Sequence, residues 1–312
     1  MAHVFVTREL PGPALQRLRE QHSVTVWPQP LPPAYKDLRD YTAECDALLS
    51  LLTDTVDANL INGSPRLRVI ANYAVGYDNI DVGAATRRDI PVGNTPDALT
   101  EAVADLTFAL LMSAARRIPE AAAFAHGGGW RTWDPAGFLG ADIYGATLGI
   151  IGLGRIGQAV ARRGSGFNMR VLTTETRDHS NYEFLLRESD FVSVHLPLTA
   201  QTRHLIGSRA FELMKPTAIL INTARGPVVD HEALTQALHT GQIGGAALDV
   251  TEPEPLPQDH ALWQAPNLLV VPHIASATWT SREQMAEMAV DNIIAGLAGR
   301  PLPYQVPAQL AQ

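Results

Sequence analysis

Cysteine is almost absent from this chain. Cys45 stands alone among 312 residues, which excludes an intrachain disulfide and any metal site built from cysteines. No run of about 18 apolar residues is available for a membrane-spanning helix. Lysine is scarce too: Lys36 and Lys215 are the only two, so arginine supplies nearly all of the 24 basic side chains, set against 32 acidic ones. The net charge of −8 argues against nucleic acid as the main partner. The start, Met1 to Thr7, reads directly as a strand and lacks the charged beginning and long apolar stretch of a secretory signal. A cytoplasmic protein without membrane attachment is expected. No His/Asp/Glu grouping has metal-ligand spacing and no Gly-x-Ser-x-Gly elbow occurs, so neither a metal centre nor serine-hydrolase chemistry is expected.

The chain is long for one core, so two domains are expected. What it does have is the stretch Thr147-Leu-Gly-Ile-Ile-Gly-Leu-Gly-Arg-Ile-Gly157, an apolar run that leads into Gly152-x-Gly154-x-x-Gly157 and then a helix-forming segment from Arg155 through Arg163. In such a fingerprint the first glycine permits the tight turn and the second lets the backbone approach a pyrophosphate. The third lets helix and sheet pack closely. The free N–H groups and positive end of the helix then face the phosphates. A second strand, Met169–Thr174, leads to Glu175, where a dinucleotide fold places its ribose-binding acid. Strand, glycines, helix and acid together point to a nucleotide site.

Strands and helices alternate on both sides of this unit. Up to about residue 95, strands are expected at Val4–Thr7, Val24–Trp27, Ala47–Leu52 and Val69–Asn72, with Pro28–Pro33 as a surface connection. From Thr147 the alternation restarts, with strands at Phe191–Val194, Ala218–Asn222, Gly245–Asp249 and Leu268–Val271. Helices are expected at His231–Thr240 and Ser281–Leu297. This pattern implies parallel sheets with crossover helices. Leu99–Ile118 reads as one helix, apolar on more than one face. A surface helix needs a single stripe, so cover from its own domain and from a second subunit is expected, with a helix buried in one chain as the alternative. Gly76 sits at a turn in Asn72–Asp81, where exposed N–H groups could hold an anion or simply join strand to helix. Asn94-Thr-Pro-Asp97 marks a boundary.

Three chemically capable residues fall at or just beyond strand ends, the edge where open parallel sheets bind ligands: Arg225, Glu254 and His273. Singly, each is open to a structural reading. Together they suit hydride transfer: a histidine exchanges a proton near neutral pH, a neighbouring carboxylate orients it, and an arginine fork grips a carboxylate or polarised carbonyl. His231 and His260 are placed outside this chemistry. His195, in the strand-ending His-Leu-Pro, is assigned to the nucleotide pocket.

The sequence resembles the D-isomer-specific 2-hydroxyacid dehydrogenases, and within them the glyoxylate/hydroxypyruvate reductases, over nearly its whole length. The motifs are Val75-Gly-Tyr-Asp-Asn-Ile-Asp81, Asn94–Asp97, Gly152–Gly157, Asn222-Thr-Ala-Arg-Gly226, Leu248–Pro257 and Pro272-His-Ile-Ala-Ser-Ala-Thr278. The resemblance implies an α/β protein of two doubly wound parallel-sheet domains with a cleft between. A flavodoxin-like substrate domain would comprise residues 1–97 plus 282–312, and a Rossmann cofactor domain residues 98–281. It implies a homodimer through the Leu99–Ile118 helix and the arm after it. By the same resemblance His273 protonates the substrate carbonyl, Glu254 holds His273 charged and oriented, and Arg225 clamps the carboxylate and carbonyl. Backbone N–H groups of Val75 and Gly76 take the carboxylate. Leu51, Tyr73 and Trp133 shape the pocket, Trp133 reaching it from the partner. Cofactor contacts are implied for Thr100, Gly152, Gly154, Arg155, Ile156, Gly157, Glu175, His195, Pro197, Thr202, Thr223, Asp249 and Ala275.

One region departs from the family. Between Glu175 and Leu185 the loop and small helix are shorter than in many members, on the adenosine side of the pocket. Glu175 would accept both ribose hydroxyls and repel a 2′-phosphate, so NAD(H) is expected to be preferred, with Arg177 leaving NADP(H) usable. The expected substrates are small 2-oxo acids, glyoxylate and hydroxypyruvate. Other D-2-hydroxyacid or phosphite dehydrogenases share the same three residues, and so does an NAD-sensing, corepressor-like binding module. Turnover separates the last from the rest.

Overall fold

The computed structural model describes residues 1–174 and 179–310. The chain divides into two compact units, Met1–Leu99 with Ala277–Gln312, and Thr100–Ser276. The first unit runs β1 (His3–Val6), α1 (Ala14–Arg19), β2 (Ser23–Val26), α2 (Tyr35–Ala43), β3 (Ala47–Ser50), α3 (Ala58–Asn62), β4 (Val69–Asn72), α4 (Val82–Arg87) and β5 (Val92–Gly93). The second begins with α5 (Thr100–Ala115), α6 (Ile118–His126), β6 (Thr147–Ile151), α7 (Arg155–Gly166), β7 (Arg170–Thr174) and α8 (His179–Glu188). It continues through β8 (Phe191–Val194), α9 (Ser208–Leu213), β9 (Ile219–Asn222), α10 (His231–His239), β10 (Gly245–Leu248) and β11 (Leu268–Val270). The chain then rejoins the first unit through α11 (Trp279–Leu297) and α12 (Pro307–Leu310).

Both sheets are parallel throughout, with the order β2-β1-β3-β4-β5 in the first and β11-β10-β9-β8-β6-β7 in the second. Counted from its own first strand, each sheet winds 2-1-3-4-5, and the second adds a sixth strand. Among the described residues no strand pairs beyond β7, so the second sheet is one strand shorter on that side than the usual dinucleotide order, 3-2-1-4-5-6. Between β7 and β8 the described residues hold α8.

Strand residues alternate between faces, and the two faces of the second sheet carry different cores. Val192, Val194, Leu220, Ala246 and Leu248 pack with Leu185, Leu186, Phe211 and Leu234 of α8, α9 and α10. Leu148, Ile150, Phe191, Ile219, Ile221 and Ala247 pack with Ala104, Phe108 and Leu111 of α5 and with Ala159 and Val160 of α7. Each fully buried Leu, Ile, Val or Phe contributes about 1.5–3 kcal/mol. In the first unit Phe5, Leu48, Ile70 and Val92 share a core with Leu60, Ile61, Ala84 and Ala85 of α3 and α4. On the other face α11 comes close to β4: a Cβ on Gly296 would lie 2.5 Å from Val69 Cγ2.

The Leu99–Ile118 helix is two helices. Arg117 adopts a left-handed conformation (φ 51°), which ends α5 at Ala115 and starts α6 at Ile118. Neither Arg116 nor Arg117 is a residue that announces such a break. Val103, Leu110, Phe108 and Leu111 of α5 are buried within the single chain, whereas α6 buries nothing. The large apolar side chains left exposed are further on: Ile118, Phe124, Trp130, Trp133, Leu139 and Tyr144.

Candidate active site

In the second unit the chain leaves β6 in one direction and β8 in the other, so the sheet's switch point lies between these neighbours, at the end of β6. There Gly152 has φ +98°, and a Cβ on it would meet His195 O at 2.7 Å. A Cβ on Gly157 would lie 2.1 Å from Gly152 O, so α7 can pack on the turn only without a side chain there. Gly154 differs from both. It is the extended N-cap of α7, at φ −67°, with open space where a Cβ would stand. Arg155 and Ile156 follow as the first helical residues, at the positive end of α7. A nucleotide pyrophosphate fits this cradle by charge and by clearance.

The loop after β8 is tied by hydroxyls. His195 Nε2 meets Ser193 Oγ at 2.8 Å, and Thr202 Oγ1 donates to Pro197 O at 2.7 Å while accepting from Thr199 N at 2.8 Å. Desolvation pushes His195 down to about 4, so its ring is neutral at ordinary pH. After β9, Asn222 is wholly buried; its Oδ1 accepts from Ala224 N at 3.0 Å and its Nδ2 donates to Arg225 O at 2.9 Å. Asn222 thereby fixes the turn that carries Arg225. Thr223 Oγ1 and Thr107 Oγ1 of α5 lie 2.9 Å apart. After β10, both carboxylate oxygens of Asp249 accept N–H groups, from Ile274 at 2.6 Å and Ala275 at 3.0 Å. Burial raises the Asp249 pKa, with those two N–H groups opposing it. Each carboxylate oxygen retains capacity for a second donor.

The third loop brings acid and base together. His273 Nδ1 lies 2.5 Å from Glu254 Oε1. A carboxylate at that distance makes Nδ1 the protonated nitrogen and turns Nε2 away from it. Among the described residues nothing meets Nε2. His273 itself has φ +53°, a strained conformation for a residue with a Cβ, held because its N–H donates to Asp249 O (2.9 Å) and Val271 O (3.0 Å). The Glu254 segment is anchored two residues earlier in the motif, at Glu252. Burial alone would raise the Glu252 pKa, but His204 Nε2 at 3.0 Å and the Arg203 guanidinium hold it below the usual carboxylate range. This Arg203–His204–Glu252 cluster escaped the sequence reading, because its members are separated in sequence and carry no motif of their own.

In the first unit, the loops after β3 and β4 carry Leu51, Tyr73, Val75 and Gly76. Tyr73 is buried and its hydroxyl donates to Arg282 O at 2.8 Å. Asp54 is buried too; it accepts from Leu51 N at 2.7 Å and Thr7 Oγ1 at 2.5 Å. Among the described residues, no acceptor meets the N–H of Val75 or of Gly76. A groove of about 660 Å³ lined by Arg68, Arg88 and Arg300 lies at the opposite edge, where β4 and β5 begin. There Arg68 donates to Leu297 O, and Arg88 to Ile61 O and Ser64 O.

The other predicted residues are spread out. Thr100 opens α5 and is half-buried, and Trp133 is 79% exposed. Glu175 and Arg177, on which the cofactor preference was based, lie outside the described residues. His231 and His260 have structural places. His231 is buried at the start of α10 with neither ring nitrogen bonded, and His260 Nδ1 accepts from Leu262 N. Among the described residues no group of three His, Cys, Asp or Glu side chains could hold a metal ion, and no helix is long and apolar enough to cross a membrane.

Known proteins are similar to this chain. Residues 108–275 match the D-isomer specific 2-hydroxyacid dehydrogenase NAD-binding domain. The glyoxylate reductase of Korarchaeum cryptofilum is 48% identical, over 99% of this chain and 97% of its own. That of Thermococcus litoralis is 47% identical, over 97% and 96%. Among solved structures, the TT0316 protein of Thermus thermophilus superposes with a TM-score of 0.93 at 47% identity, covering 97% of this chain and 99% of its own. An NADPH-dependent glyoxylate/hydroxypyruvate reductase of Sinorhizobium meliloti, in complex with NADP and malonate, does so at 0.87 with 30% identity, covering 99% and 97%. The chain belongs to the D-isomer specific 2-hydroxyacid dehydrogenases.

Proposed function

We propose that this enzyme reduces glyoxylate, and hydroxypyruvate alongside it, to the corresponding 2-hydroxy acid with NAD(H). The observation that carries the reading is the 2.5 Å Glu254–His273 pair, whose outer ring nitrogen is left to a ligand. The relatives of nearly half-identical sequence named glyoxylate reductase support the substrate. When bound on the Gly152–Gly157 turn, the nicotinamide cofactor supplies the hydride. His273 Nε2 gives the proton to the carbonyl oxygen as that oxygen gains charge, and Glu254 holds the imidazole in place and balances its charge. The Arg225 guanidinium grips the substrate carboxylate and polarises the carbonyl. The N–H groups of Val75 and Gly76 complete the carboxylate's partners, with Leu51 as apolar wall. Thr100, His195, Pro197, Thr202, Thr223, Asp249 and Ala275 line the cofactor.

Glu175 favours NAD(H) by accepting from the ribose hydroxyls, although one structural relative is named NADPH-dependent. A homodimer would cover the apolar residues of α6 and the following arm, with Trp133 entering the partner's site. The test is oxidation of NADH and NADPH by the purified protein with glyoxylate, hydroxypyruvate, pyruvate and 2-oxoglutarate. Turnover of the first two with NADH is expected. Clear preference for NADPH overturns the role given to Glu175. No turnover with any of the four overturns the reductase reading and favours the cofactor-sensing binding module.

A further inference from the structure

The motif Asn94-Thr-Pro-Asp97 has a task that its sequence does not announce. A trans peptide unit points its N–H opposite to the C=O of the preceding residue. The two N–H groups offered to the substrate, those of Val75 and Gly76, therefore belong to the peptide units that carry the carbonyls of Ala74 and Val75, and both units are trans. Both carbonyls are held from behind by consecutive residues. Thr95 N donates to Ala74 O at 2.9 Å, and Asn94 Nδ2 donates to Val75 O at 2.8 Å. The next carbonyl, Gly76 O, accepts from Asn72 Nδ2 at 2.8 Å. Three successive peptide planes are thus fixed by partners on one side.

Asn94 is itself clamped. It is 5% exposed, its N–H donates to Tyr304 O at 3.0 Å, and its carbonyl accepts from Asn292 Nδ2 at 3.0 Å. Asn292 Oδ1 in turn accepts from Tyr304 N at 3.0 Å. Residue 93 must be glycine for this: a Cβ there would stand 2.4 Å from the Asn292 side chain. With its backbone held on both sides, the Asn94 side-chain amide is directed to the Val75 carbonyl.

We propose that Asn94 is a positioning residue for the substrate carboxylate. By holding the Val75 carbonyl it sets the direction of the Gly76 N–H, as the Thr95 backbone does for the Val75 N–H. The inference rests on the reading that these N–H groups receive a 2-oxo acid. An Asn94→Asp enzyme keeps the shape of the side chain but sets an acceptor against the Val75 carbonyl. An Asn94→Ser enzyme removes the donor without adding charge, and carries the test if the aspartate variant misfolds.

For either variant the KM for glyoxylate and the inhibition constant of oxamate rise by roughly tenfold, the size of one oriented hydrogen bond. The KM for NADH stays within about twofold, and so does that for methyl glyoxylate, which has no carboxylate to hold. A purely structural role would weaken acid and ester alike. A folded variant that treats glyoxylate and oxamate as the wild type does, or that loses both substrates equally, overturns the inference. If the wild-type enzyme neither reduces a 2-oxo acid nor binds oxamate, the parent reading falls as well.

Discussion

The two sheets share their winding and differ in what they offer at their carboxyl edges. The second presents ionisable side chains on loops: Arg225 after β9, Asp249 and Glu254 after β10, His273 after β11. The first presents backbone. Its N–H groups at Val75 and Gly76 are backed by the Thr95 N–H on the Ala74 carbonyl and by the neutral amide of Asn94 on the Val75 carbonyl. A parallel sheet therefore supports two kinds of site. One depends on the identity of a few charged residues; the other depends on fixed peptide planes, which neutral residues set.

The comparison breaks most sharply at Arg225. Arg225→Met leaves a chain that binds NADH, because the nucleotide turn is untouched, and lowers kcat/KM for glyoxylate by about 10²–10³, the usual cost of one charge-stabilising donor. Steady-state kinetics beside NADH binding check this. A loss of NADH affinity to match would mean that Arg225 shapes the cofactor pocket instead.

The glycines of the second sheet sharpen the contrast between clearance and conformation. Gly157→Ala forces a Cβ to 2.1 Å from Gly152 O, so helix or turn must move and the melting temperature falls by several degrees. Gly154→Ala has open space and an ordinary φ, so the protein folds as before. Its Cβ stands instead where the pyrophosphate approaches, and weaker NADH binding is expected. Melting curves with and without NADH separate the two.

Charge was legible in the sequence and neutral support was not. Arg225, Glu254 and His273 are conspicuous because, together at the edge where parallel sheets bind ligands, they make a set suited to hydride transfer. Gly152–Gly157 was legible because Gly152 and Gly157 answer steric demands of the fold and Gly154 leaves room for a pyrophosphate. Asn94 read as a boundary, since nothing local shows that its amide reaches back to Val75. The break at Arg117 was invisible for a similar reason: the left-handed residue is an arginine, and what is gained by turning there comes from packing.

A smaller effect belongs to pH. Burial pushes His231 down to about 4, well below the value of about 6.5 in an unfolded chain. The unfolded state takes up the proton first, so the stabilisation from a neutral His231 is complete above about pH 6.5 and is lost as pH falls toward 4, at up to about 1.4 kcal/mol per pH unit. His231→Leu flattens this slope in denaturant melts, though His195, also pushed down to about 4, retains part of it. A variant as acid-sensitive as the wild type would contradict the assignment. The smallest effect is at the surface: Arg162→Ala breaks a 2.6 Å pair with Glu101, but both side chains are over 60% exposed. Stability changes by less than about 1 kcal/mol.

The most direct test of the division between the sheets is a single-turnover experiment with His273→Ala, loaded with NADH and mixed with glyoxylate. The account predicts NADH binding like the wild type and a reduction step slowed by about 10²–10⁴, the range for a lost general acid. Reduction at the wild-type rate would show that the proton comes from elsewhere and that the Glu254–His273 pair is structural.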